Sequence, residues 1–186
     1  MIKADQYLTA KELLDWNIEL GLGLTTTTKK KGEVFLEEGQ RCNYFYYVLK
    51  GFVRVYYLDL EGNEVTHWFT AADSMITSPF SFLKQERNIL YLEALEETDL
   101  LLITFDQLER IMTEIESTEK AMRQLYAEFA MTFSRRVMSM HTQTAEERYL
   151  HLMEEHPLLF QKAKLFHIAS FLGVTPQSLS RIRKNI

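Results

Sequence analysis

The sequence predicts an α+β protein in three successive parts: an antiparallel β-roll behind one N-terminal helix, a long central helix, and two short C-terminal helices joined by a tight turn. Three observations carry this. Short β-rich runs recur between residues 34 and 103 with turn signals between them. Apolar residues then repeat at steps of three and four across residues 106–141, and residues 167–184 place apolar positions on one side of two helices flanking a glycine. With 186 residues, 46% of them apolar, the chain can build one substantial core and a small second domain.

Tyr7 to Leu20 carries Leu8, Leu13, Leu14, Trp16, Ile18 and Leu20 near helical spacing and closes on Gly21 and Gly23. Thr25 to Lys31 reads as a polar lead-in. The strands expected next are Val34 to Leu36, Tyr44 to Leu49, Phe52 to Leu58, Glu64 to Phe69, Tyr91 to Ala94 and Leu100 to Ile103, with turns at Glu38-Gly39, Lys50-Gly51 and Glu61-Gly62-Asn63. Strands this short and this closely spaced suit an antiparallel barrel or roll. Phe45, Tyr47, Tyr57, Trp68 and Phe69 either fill its core or line a ligand pocket.

The helical stretch from Asp106 to His141 holds Ile111 and Ile115 before a break near Ser117, then Met122, Leu125, Phe129, Phe133, Val137 and Met140. A stripe running about five turns, in a chain with few partners to offer it, predicts a helix that pairs with its copy; packing on its own roll is the alternative. Those six residues are the expected dimer interface. Thr142-Gln143-Thr144 breaks the stripe as a hinge. Ala145 to Glu155 resumes as a helix with Tyr149, Leu150, Leu152 and Met153 inward, and Pro157 ends it. The expected boundaries are 1–116 for the roll, 117–141 for the central helix and 142–186 for the C-terminal domain.

In the last segment Ile168, Ala169 and Leu172 share a helical face, and Gly173 supplies the left-handed turn. Thr175 caps a second helix with Pro176 at its first position, and Val174, Leu179 and Ile182 bury its inner side. The outer side presents Gln177, Ser178, Arg181 and Lys184, side chains that suit base edges and phosphates in a major groove. Thr175 and Ser180 complete the expected DNA-binding set. Charge agrees: residues 161–186 carry +5 with no Asp or Glu, which leaves −10 for the rest of a chain whose net charge is −5. An apolar hairpin with a solvated face, contacting protein, is the bland alternative.

Other classes find little footing. No window reaches the eighteen or so apolar residues of a membrane span, so a cytoplasmic protein is expected. The single cysteine, Cys42, allows no internal disulfide and no cysteine cluster for zinc or iron–sulfur. No nucleophile elbow, phosphate-binding glycine loop or His-Glu-x-x-His pair is present, and Glu37, Glu38, Glu96 and Glu97 lie in runs typical of solvated turns, so no enzyme is expected.

In this order of parts, the chain resembles the CRP/FNR transcription regulators, most of all a compact branch of Bacteroidetes type. The resemblance rests on residues 31–39 (KGEVFLEEG), 49–55 (LKGFVRV) and 168–181 (IASFLGVTPQSLSR). It implies a homodimer on promoter DNA, with RNA polymerase as a further partner. It also implies that Gln177 stands where relatives carry a base-reading glutamate, and Arg181 where an arginine contacts guanine. Pro176 replaces another base-reading arginine of some members. A cyclic-nucleotide-binding relative would carry a Gly-Glu pair and an Arg-Ser or Arg-Thr pair. Here residues 72–82 (ADSMITSPFSF) lack the first, and Arg87-Asn88 lies near the second. Thr77, Ser78, Arg87 and Asn88 are the candidate effector residues of a sensor expected not to take cyclic AMP; the effector is unknown and no metal is expected. His67 and Cys42 are isolated as haem ligands. The competing reading is a small-molecule-binding module whose helical tail contacts protein.

Overall fold

The computed structural model describes residues 7–185. Residues 1–6 and 186, which the expected first and last domains include, lie outside the described residues. α1 (Ala10–Glu19) begins where the Thr9 hydroxyl accepts from the Glu12 amide and the Glu12 carboxylate accepts from the Thr9 amide, satisfying two donors that a helix start leaves orphaned.

The strands that follow are β1 (Thr25–Lys29), β2 (Val34–Leu36), β3 (Phe45–Lys50), β4 (Phe52–Leu58), β5 (Glu64–Ala71), β6 (Ser74–Ile76), β7 (Tyr91–Ala94) and β8 (Thr98–Ile103), with α2 (Pro79–Lys84) after β6. They form two antiparallel four-stranded sheets, ordered β1-β8-β3-β6 and β2-β7-β4-β5. The inner faces enclose Tyr47, Val53, Val55, Trp68, Leu92 and Leu100. The polar lead-in is a strand after all: Thr25–Lys29 pairs with β8 from Thr25↔Leu102 to Lys29↔Thr98, an edge position where threonine side chains can face water. β3 turns into β4 at Gly51, whose φ of +107° and closeness to Thr98 exclude a side chain, since a Cβ there would lie 2.8 Å from the Glu97 carbonyl oxygen.

α3 (Phe105–Glu114) is capped by Thr104 and Gln107 as α1 is by Thr9 and Glu12. Ile115, in extended conformation, separates it from α4 (Glu116–Thr142), so the break falls two residues before Ser117. α5 (Ala145–Glu155), α6 (Leu159–Lys162), α7 (Leu165–Leu172) and α8 (Pro176–Asn185) complete the chain.

The C-terminal helices share a second core with the roll. Tyr149, Leu152, Leu159, Ile168, Ala169, Leu172 and Leu179 close over Phe52, Phe69 and Leu95 on the outer face of the second sheet. That sheet is therefore covered on both sides, and Phe52 through Tyr56 are buried without alternation. The same outer face buries Arg54, which pairs with Glu64, with Glu93 at 3.1 Å, and stacks 4.0 Å over Tyr56.

The stripe on α4 divides its residues. Met122 and Leu125, 1% and 8% exposed, belong to the roll's own core, so they are withdrawn from the expected dimer interface. A stripe about 100° wide or more, on a helix lying against a roll, has one edge turned inward. Phe129 and Phe133 stand at the border, packed on Trp68 at 5.2 Å and on His67 at 5.6 Å yet more than a third exposed. Val137 and Met140 are exposed.

Candidate functional site

α7 and α8 meet as their residue types require. Ile168, Ala169 and Leu172 are buried, Gly173 adopts φ +69°, and the Val174 amide returns to the Ala169 carbonyl at 3.0 Å to close the turn. The Thr175 hydroxyl then accepts from the Ser178 amide at 3.1 Å, and Pro176, with no amide hydrogen to lose, opens α8. Leu179 is fully buried, with Val174 and Ile182 packed beside it.

This leaves Thr175, Gln177, Arg181, Arg183 and Lys184 exposed and Ser178 and Ser180 partly so. No ion pair between described residues involves Arg181, Arg183 or Lys184. The predicted set thus lies together on one helix, its charge uncompensated. Such a face suits an anionic surface on the scale of a helix, and the amide and guanidinium of Gln177 and Arg181 have the paired donors that base edges take.

The helix beneath that face is tied to the roll. The Ser170 hydroxyl accepts from the Thr66 amide at 2.9 Å and donates to the Glu64 carbonyl at 3.2 Å, while Phe171 packs on Phe69 at 5.3 Å. Arg136 of α4 donates to the carbonyls of His67 and Phe171, and Arg148 of α5 donates to the Leu172 carbonyl at 3.1 Å and to the Gln143 carbonyl at 2.7 Å. Sequence reasoning missed both arginines. The only available signal was a basic residue on the edge of an apolar stripe.

The candidate effector residues are spread differently. The Thr77 hydroxyl donates to the Tyr44 carbonyl at 3.0 Å. Asn88 is buried, its amide donating to the carbonyls of Glu37 (2.9 Å) and Leu90 and its oxygen accepting from the Leu90 amide at 2.9 Å. Ser78 is buried at the start of α2, and Arg87 is exposed. Three of the four thus serve the loop's own packing or backbone, while the Arg87 side chain is exposed. Phe45, Tyr47, Trp68 and Phe69 are core; Tyr57 is exposed. Cys42 contacts Tyr44 and Thr77, whereas His67 packs against Tyr57 and Phe133, so the two isolated haem candidates are not brought together.

Residues 27–114 match the family model of the cyclic nucleotide-binding domain. Among solved structures, the chain is similar to a CooA mutant from Carboxydothermus hydrogenoformans, at 16% identity and TM-score 0.75 over 96% of this chain and 84% of that one. It is also similar to FixK2 from Bradyrhizobium japonicum, at 20% identity and TM-score 0.71 over 87% and 83%. A CRP/FNR-family transcriptional regulator from Thermus thermophilus matches at 20% identity and TM-score 0.68 over 87% and 84%. No curated protein sequence matches the chain. In fold, then, the chain is of the CRP/FNR type: a roll of the cyclic nucleotide-binding kind, a long helix and a C-terminal helical domain. No helix among the described residues is long and apolar enough to cross a membrane.

Proposed function

We propose that the chain is a homodimeric, sequence-specific DNA-binding transcriptional regulator, not an enzyme, that works in the cytoplasm. The observation that carries this reading is the uncompensated face of α8, with Gln177, Arg181 and Lys184 exposed above the buried Leu179. Gln177 and Arg181 read base edges; Thr175, Ser178, Ser180 and Lys184 hold phosphates and set the register.

Two copies are needed to span two half-sites about one DNA turn apart. α4 supports such pairing, because Tyr126, Ala130, Phe133, Val137 and Met140 follow one another at steps of four, three, four and three on an exposed face, the spacing of a coiled-coil seam. Phe133, Val137 and Met140 of the sequence-based interface stay in this seam, with Phe129 at its edge.

The roll acts as a sensor that does not take cyclic AMP, because Thr77 and Asn88 spend their hydrogen-bonding groups on backbone carbonyls and amides. A small-molecule effector shifts the central helices and with them the spacing of the two α8 helices on DNA, where RNA polymerase is the further partner.

A salt titration of binding to a duplex selected from random sequence tests the reading. Phosphate neutralisation predicts a steep linear fall of log affinity with log salt. A tail that contacts protein predicts no DNA affinity at any salt concentration.

A further inference from the structure

Between the roll, α4 and α5 lies an open cleft of about 880 Å³, within the size range of small-molecule sites. Trp68 of β5, Leu152 of α5 and Phe171 of α7 give it apolar walls, and Arg135, Arg136 and Arg148 face it. Arg135 donates to the Thr132 hydroxyl at 3.0 Å, while Arg136 and Arg148 are oriented by backbone carbonyls. No ion pair between described residues includes any of the three. Carbonyls aim Arg136 and Arg148 without cancelling their charge. Burial lowers the Arg136 pKa from 12.5 to about 10, with Tyr57 opposing the shift in part. Glu128 and Glu155 also line the cleft, beyond ion-pair distance of the arginines.

The position of the cleft on α4 matters as well. At 100° per residue, Thr132, Arg135 and Ser139 lie roughly opposite Tyr126, Ala130 and Val137, so the seam borders the cleft at Met140, which lines both, and leaves the Arg135 side clear. A ligand there touches strand β5, the central helix and the helices that carry α8 together.

We propose that this cleft binds a small organic anion with a flat apolar body, its charged group held by Arg135 beside Arg136 and Arg148 and its body against Trp68 and Phe171. The assignment of this anion as an effector rests on the regulator reading above; the binding itself does not.

Fluorescence titration of the full-length protein with anilinonaphthalene sulfonate, a flat aromatic anion, tests it against uncharged phenylnaphthylamine. The expected result is saturable binding of about one dye per chain, about tenfold tighter than the uncharged probe, weakened about tenfold by Arg135→Glu and unchanged by Val137→Glu. Should Arg135→Glu alter the circular dichroism, Arg135→Gln replaces it with the same expected direction. Equal affinity for the two probes, parent-like affinity in both Arg135 variants, or loss of binding in Val137→Glu would overturn the proposal, the last by placing the dye on the exposed stripe. The titration contains no DNA, so its failure and a failure to bind DNA are separate results.

Discussion

Arg136 on the central helix lies 4.0 Å over the Phe171 ring of α7 and donates to the Phe171 carbonyl at 3.0 Å, while its other terminal nitrogen donates to the His67 carbonyl of β5. One guanidinium therefore joins the second sheet, the long helix and the helix that packs beneath the exposed face of α8. Hydrogen bonds from a charged group contribute roughly 1.5–3 kcal/mol each. Arg136→Ala removes two such bonds and should therefore lower stability by about 3–6 kcal/mol in urea unfolding. Arg136→Lys should recover little, since an ammonium cannot make the same fork. Parent-like stability of Arg136→Ala would show that the domains are held by their apolar contact alone.

The division of α4 into an inner and an outer stripe predicts opposite phenotypes for neighbouring residues. Val137→Glu places a charge on the exposed seam and should give a folded monomer in sedimentation velocity, with unchanged circular dichroism. Met122→Ala empties a site in the roll's core and should cost about 2–5 kcal/mol of stability. A Val137→Glu protein that stays dimeric would move the interface elsewhere.

Acid should weaken the fold through His167. This side chain is buried on α7 with no hydrogen-bond partner for Nδ1 among the described residues, and burial, with Arg54 and Lys164 nearby, lowers its pKa from 6.5 to about 3. The unfolded chain takes up the proton first, so this contribution is complete above pH 6.5 and is lost as pH falls towards about 3. The loss is at most about 1.4 kcal/mol per pH unit. His156, lowered by burial to about 4, acts in the same direction. Urea midpoints measured on acidification should fall, and the fall should be shallower in His167→Gln. An equal slope in that variant would remove His167 from the account.

Calorimetric titration with cyclic AMP should show no saturable heat. Asn88 would have to give up its bonds to the carbonyls of Glu37 and Leu90 before it could serve a phosphate, and unmade bonds to buried groups are costly. Micromolar binding would contradict this reading of the roll.

Most of the roll was legible because its strands combine β-branched and aromatic residues with turn residues at close intervals. β1 escaped because Thr25 to Thr28 carry no apolar face, and its pairing with β8 is a long-range event. Arg54 could not be read as buried, since its burial depends on long-range packing that brings His167 of α7 near it. The two-helix unit at the C-terminus was legible in detail because the Gly173 turn, the Thr175 cap and the buried Leu179 are local requirements. The cleft was not: Arg135, Arg136 and Arg148 come together only through the docking of α5 and α7 against β5 and α4.

Competition binding of parent and Arg181→Ala protein, using a selected duplex and a scrambled one of equal length, decides whether the outer face of α8 reads DNA sequence. Arg181 is exposed, so the variant should fold as the parent does. If Arg181 contacts a base edge, the variant loses about 1–3 kcal/mol on the selected duplex and little on the scrambled one. An equal loss on both would reduce Arg181 to a phosphate contact, and undiminished preference for the selected duplex would contradict the claim.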